Sequence, residues 1–286
     1  MIDVLRIPVS KEVLHAMPKA ERALFLLLGY ASNQINLFSK LVIFSSNKTP
    51  LEQPEQSLSG VQTQMLARII IGVLNEAWEL IRKRFLGTKL GKEYTPRLDI
   101  RGQAALDKLK KNFGGSDIFN KIRSNYAFHH PYDSDVNDAF LRASDDSNWD
   151  ADWNWFFSRH NFNSFYFMSD VVILHGILNA IGETDLIAAQ KRIMAEVRQV
   201  SEDMTQFIMA LTASIWVKHF GPQMTGEVCA KIAGAPDAFE VWIPFFVEIP
   251  PEERIVADHA HSPVEASNEG LSVTRSLLAR SRARLS

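Results

Sequence analysis

The chain has a single cysteine, Cys229, which rules out an intramolecular disulfide and a thiolate metal cluster and suits a reducing compartment. Its setting, Glu227-Val228-Cys229-Ala230, reads as the interior of a short helix near Met224 to Ile232, with the thiol as a small packed hydrophobe. Long apolar runs are also missing. The longest, Ala23 to Leu28 and Val171 to Leu174, fall far short of the ~20 residues of a membrane helix. Residues 204–217 are interrupted by Gln206, Thr212 and Ser214. Asp3, Arg6 and Pro8 at the start lack the apolar run of a signal peptide. The expectation is a cytoplasmic protein that meets no membrane. No glycine-rich phosphate loop, Rossmann fingerprint or internal repeat is visible, so no nucleotide cofactor, and no other cofactor, is expected. A net charge of -2 excludes a general polyanion binder, and any nucleic-acid contact must come from a local patch.

What the chain does have is helical periodicity. From Lys19 to about Phe44, apolar residues recur three and four apart at Leu24, Leu27, Leu28, Ala31, Ile35 and Phe38. Asn47 to Gly60, with two prolines, reads as a loop. A second long helix is expected from Val61 to Leu86, with Gly87 as its stop, and a shorter one from Arg101 to Phe113. Ser116 is a candidate N-cap for the next. After Pro131 the chain turns acidic and then aromatic, which predicts an irregular insertion. Helices follow at Phe167 to Ile181 and Thr184 to His219, and Val241 to Ile249 is the one credible strand. Polar, proline-containing sequence from Pro250 predicts a linker and weakly ordered tail, with a basic helix at Leu271 to Leu285. The fold class is all-α: a bundle of long antiparallel helices over 1–235, with an aromatic-rich insertion, then an extended segment and tail over 236–286.

Charge is unevenly placed. Twelve basic residues between Arg82 and Arg123 face four acidic ones, a local +8; between Asp133 and Asp152 seven aspartates face Arg142, a local -6. Such runs are ordinarily solvated faces, and the alternative is a phosphate-facing patch. On the seam lies Ile122-Arg123-Ser124-Asn125-Tyr126-Ala127-Phe128-His129-His130-Pro131. On an ideal helix Arg123 and His129 stand about 120° apart, and His130 lies nearly in line with Arg123. Pro131 pushes His130 out of helical geometry and makes His129 the last helical residue. A guanidinium can grip a phosphate in bidentate fashion, and a histidine titrating near neutrality can move a proton. RNA supplies its own 2′-hydroxyl nucleophile, so that pair needs no metal. Asn125 or Tyr126 could orient the substrate, and Glu76 or Glu79 could hold Arg123 in place.

Arginine, a short spacer, then histidine, late in a set of long helices, resembles the HEPN superfamily signature. The resemblance covers about residues 19 to 180. It implies a compact all-α domain, metal-independent endoribonuclease activity of the toxin and phage-defence kind, and a homodimer that brings two motifs into one cleft. A protein partner such as an antitoxin or regulator fits the same picture. Arg123 would bind phosphate and His129 would be the acid/base, with His130 the alternate. The family usually has Asn, Asp or His directly after the arginine; here Ser124 stands there and Asn125 follows. A second reading stays open: a non-catalytic helical interaction or regulatory protein, with the histidine favoured at a helix C-terminus by the dipole alone.

Two further constellations carry less. His129, His130, Asp133 and Asp135 lack the spaced pairs of a metal site, so none is expected. The aromatic run from Trp149 to Phe167 reads as a satellite core ahead of a base-stacking surface.

Overall fold

A computed structural model describes residues 1–46, 51–115, 117–146, 153–158 and 163–248. The chain is mostly helical. A short strand β1 (Ile2–Arg6) leads into α1 (Lys11–Ala16), α2 (Lys19–Ser45) and α3 (Glu55–Arg84). Then come α4 (Lys89–Tyr94), a 3-10 turn Thr95–Arg97, α5 (Ile100–Gly115) and α6 (Asp117–Ile122), the last running into a π-helical turn Arg123–Ala127. The order closes with α7 (Asp133–Asp145), α8 (Phe167–Ile181), α9 (Leu186–Phe220) and strand β2 (Glu227–Ile232).

The core follows from the stripes. Leu24, Leu28, Ala31 and Ile35 of α2 are buried, as are Ile70, Leu74, Ala77 and Ile81 of α3 and Val200, Met204, Phe207, Leu211 and Ile215 of α9. Each such aliphatic or aromatic side chain removed from water contributes about 1.5–3 kcal/mol. Helix α3 is the centre: it packs on α2, α6, the π-turn and α9, and every residue from Ile70 to Asn75 is buried. A helix covered on all sides must be apolar on all sides. This explains why Glu55–Arg84 contains a window of mean hydropathy 1.2, long enough for a membrane span, with half of that window buried inside the fold. Met1–Phe246 form one compact unit.

The structure corrects several expectations. Helix α3 begins at Glu55 because Leu58, fully buried, extends the stripe back into the expected loop. The acidic stretch after Pro131 forms α7, where Asp133 and Asp135 sit in the first turn and favour the helix N-terminus. Its buried Ala139 and Ala143, one turn apart, pack on Val172 of α8. Residues 241–248 form no strand. The expected helix at Met224 to Ile232 is instead β2, drawn into an antiparallel ribbon with β1 by a partner more than 200 residues away, with Ile2 opposite Ile232 and Asp3 opposite Lys231. Cys229 is therefore exposed on a strand, its Sγ 3.4 Å from the Val4 carbonyl oxygen. Helix α8 ends where expected, at Gly182, whose φ of 73° is a left-handed cap that favours glycine. Ser116, the chain from 249 onward, and so the expected basic helix lie outside the described residues.

Candidate functional site

The Arg123-to-Pro131 segment does not run as one α-helix. The helix gives way at Arg123 to a single π-helical turn, Phe128 stands just beyond it, and His129 is already outside the helix. A π-turn inserts an extra residue into the repeat, so the ideal-helix angles between Arg123 and the two histidines do not hold here, and His129 is not the last helical residue. Such turns are frequent at functional sites.

Two glycines seat the turn. A Cβ on Gly72 of α3 would lie 2.4 Å from the Phe128 ring, and one on Gly176 of α8 would lie 2.8 Å from the Tyr126 hydroxyl. Both aromatic side chains thus enter gaps that only glycine leaves open. Buried Asn75 adds a polar tie, donating to Asn120 Oδ1 at 3.0 Å across α3 and α6. Burial raises the Tyr126 phenol, and the Asp135 carboxylate raises it further.

Beyond the seats, His129 and His130 are exposed and line an open cleft of about 370 Å³. Its other walls include Met65, Arg68, Ile69, Tyr126 and Ile173. Arg68 donates to Asp170 at 2.9 Å, both side chains only 16% exposed. Burial pushes the Asp170 carboxyl up, and the neighbouring Arg68 charge works against that. Arg123 is not among the lining residues. Its Nη2 donates to Glu76 Oε1 at 2.7 Å, and its Nε is a buried donor with no acceptor. Glu79 goes elsewhere: Arg82 donates to it at 2.7 and 2.8 Å, which with Lys83 holds its carboxyl down at about 2. Asn125 is partly buried on the π-turn.

At least half of the basic run between Arg82 and Arg123 is compensated. Arg82, Lys83, Arg97, Lys108, Lys110 and Arg123 each have a carboxylate within ion-pair distance. A larger cleft of about 620 Å³ along α2 and α9 is walled by Val42, Ile70, Val197 and Phe239; its charged residues, Arg198 and Glu202, pair with each other at 2.9 Å. Volume alone therefore does not select the site. Among the described residues, no three His, Cys, Asp or Glu side chains converge as a metal site would require.

The sequence reading missed a second polar constellation. Glu21, 1% exposed, accepts from Tyr94 Oη and from Lys218 Nζ, the latter at 2.9 Å. His219 Nε2 lies 3.2 Å from the other Glu21 oxygen, in ion-pair contact but not aligned for a hydrogen bond. Lys218 also donates to Glu93 at 2.8 Å. Burial pulls the Lys218 ammonium down, but the Glu93 and Glu21 carboxylates outweigh it and hold it above its usual range. The available signal was Glu21 itself, a charged residue one turn before Leu24 on the apolar stripe of α2.

Comparison with family models, with curated proteins and with solved structures gives no match. The functional reading therefore stands on the residues alone.

Proposed function

We propose that the chain is a metal-independent endoribonuclease of HEPN type, a bundle of long antiparallel helices that works in the cytoplasm as a homodimer in toxin or phage-defence systems. The observation that carries this reading is the placement of His129 and His130. Both are solvent-reachable on the wall of one cleft, directly after a π-turn held by two glycine seats.

The chemistry needs only groups that RNA and the chain supply. A neutral histidine accepts the proton of a ribose 2′-hydroxyl, whose oxygen attacks the adjacent phosphorus. The P–O5′ bond breaks, a 2′,3′-cyclic phosphate forms, and a protonated histidine returns a proton to the leaving 5′-oxygen. Arg123 meets the phosphate by exchanging Glu76 for it. That exchange is inexpensive because a half-exposed ion pair is worth ~1 kcal/mol or less.

A second reading, a non-catalytic helical interaction protein, is favoured by one observation: both arginines nearest the histidines already have carboxylate partners. RNA cleavage in EDTA by the wild type and by His129→Ala, His130→Ala and Arg123→Ala separates the two. The nuclease reading expects a loss of about 10²–10⁴-fold in at least one histidine variant. No cleavage by the wild type, or unchanged cleavage in all three variants, selects the interaction protein.

A further inference from the structure

The reaction proposed for the histidine cleft leaves one guanidinium on its wall without a role. Arg68 of α3 lines the cleft together with Met65 and Ile69. Positions three and four apart share one face of a helix, so this face of α3 is the cleft wall. Asp170 of α8 is not in the lining, although Ile173 of the same helix is. The carboxylate therefore anchors Arg68 from outside the lining, through Nη2 at 2.9 Å.

Arg68 differs from Arg123 in what it has left to offer. Its Nε and Nη1 meet no acceptor among the described residues, and neither is sealed from solvent. The Nε of Arg123 is sealed, and Arg123 lies outside the lining. Arg68 can thus keep its carboxylate and still present donors to a ligand in the cleft.

The charge of the cleft points to the ligand. No carboxylate is among its described lining residues. Besides Arg68, the titratable groups there are His129, His130 and the Tyr126 phenol, which its raised pKa keeps neutral. Asp135, near enough to raise that phenol, also stands outside the lining. A guanidinium in such a wall suits a phosphate group, whose oxygens match its planar donors. Met65, Ile69 and Ile173 supply the apolar bed that the rest of a small ligand needs.

We infer that Arg68, anchored by Asp170, is the residue that binds a phosphodiester within the cavity shared by His129 and His130. The inference rests on the nuclease reading of this cleft only in its choice of ligand. The test titrates the full chain in EDTA with a 2′-deoxy dinucleoside monophosphate, which cannot be cut, and separately with inorganic phosphate. The histidine ring resonances are the readout. In the wild type they are expected to move with the dinucleotide. Arg68→Met should weaken that binding by about tenfold or more. Arg68→Lys, which keeps the charge but not the planar fork, should recover part of it. Arg68→Met also strands the Asp170 carboxylate. Arg68→Met with Asp170→Asn, set against Asp170→Asn alone, therefore repeats the comparison without that charge.

Unchanged affinity on removal of Arg68 in both backgrounds overturns the proposal, as do wild-type histidine signals that the dinucleotide leaves unmoved. Arg68-dependent binding of inorganic phosphate with none of the dinucleotide overturns it in favour of a free-phosphate site. Arg68-dependent binding of the dinucleotide by a chain that cleaves no RNA supports the proposal and removes the nuclease. RNA cleavage left unchanged by Arg68→Met keeps the nuclease and overturns the role of Arg68.

Discussion

Two places in this molecule hold the same chemical kit and use it differently. At the α2–α9 contact, Glu21, Tyr94, Lys218 and His219 come together; at the α3–α6 contact, Glu76, Arg123, Tyr126, His129 and His130 lie along one short segment and the helix beside it. Both sets contain a carboxylate, a strong cation, a tyrosine and histidine. In the first, the carboxylate is buried and most of its capacity is taken up by cation and phenol. In the second, the histidines are exposed on a cleft and the arginine is tied only to a half-exposed carboxylate. Residue type does not separate the two clusters; what differs is how much hydrogen-bonding capacity each leaves unspent within reach of solvent.

The contrast is most sharply broken at Lys218. Lys218→Met strands a buried carboxylate, and a loss of about 3 kcal/mol is expected from denaturant unfolding. The pH dependence should change with it. Glu93 is held low chiefly by the hydrogen bond from Lys218, so it supports the fold at neutral pH and that support is lost as pH falls through its lowered value. Lys218, held high, supports the fold at neutral pH and loses that support only as pH rises past the ordinary lysine range. Thermal midpoints followed against pH should show a shallower acid-side loss in the variant than in the wild type, because the support that acid removes is already gone. An unchanged acid limb would mean that Lys218 is not what holds Glu93 low.

A smaller effect is expected at the seat of the π-turn. Gly72→Ala places a methyl within 2.4 Å of the Phe128 ring, and overpacking of this kind costs about 1–3 kcal/mol. Because His129 follows directly, the histidine ring resonances should shift as well, and a destabilised variant with unmoved histidine signals would detach the seat from the site. The smallest effect belongs to Glu76. Glu76→Gln removes an exposed partner and should cost no more than ~1 kcal/mol in stability. It should change binding of inorganic phosphate measurably, since Arg123 is released. Equal phosphate affinity in variant and wild type would separate Arg123 from the proposed site.

The helices of the core were legible because their signal is local. The four-residue recurrence of Leu24, Leu28, Ala31 and Ile35 needs no knowledge of any partner. What escaped depends on partners far along the chain. Strand β2 is decided by pairing with β1 at the other end of the compact unit. The Glu21 cluster spans 197 residues between Glu21 and Lys218. Helix α7 was hidden differently: its aspartates read as a polar insertion, although their place just after Pro131 is a helix-start signal. At the candidate site, the sequence placed Arg123 and the histidines on one segment and paired Arg123 with an acid of α3. Arg68 and the glycine seats were invisible, because what matters there is the empty space a side chain would have filled.

The π-turn also bears on how such a segment tolerates change. The turn absorbs its extra residue: deleting one position from Arg123 to Ala127 would restore the ordinary repeat and leave the chain from Phe128 onward nearly in phase. Only residues inside the turn would change place, Tyr126 against Gly176 among them. The segment should therefore accept a one-residue change in length more readily than a straight helix would, so that equivalence with other arginine–histidine segments is better counted in turns than in residues.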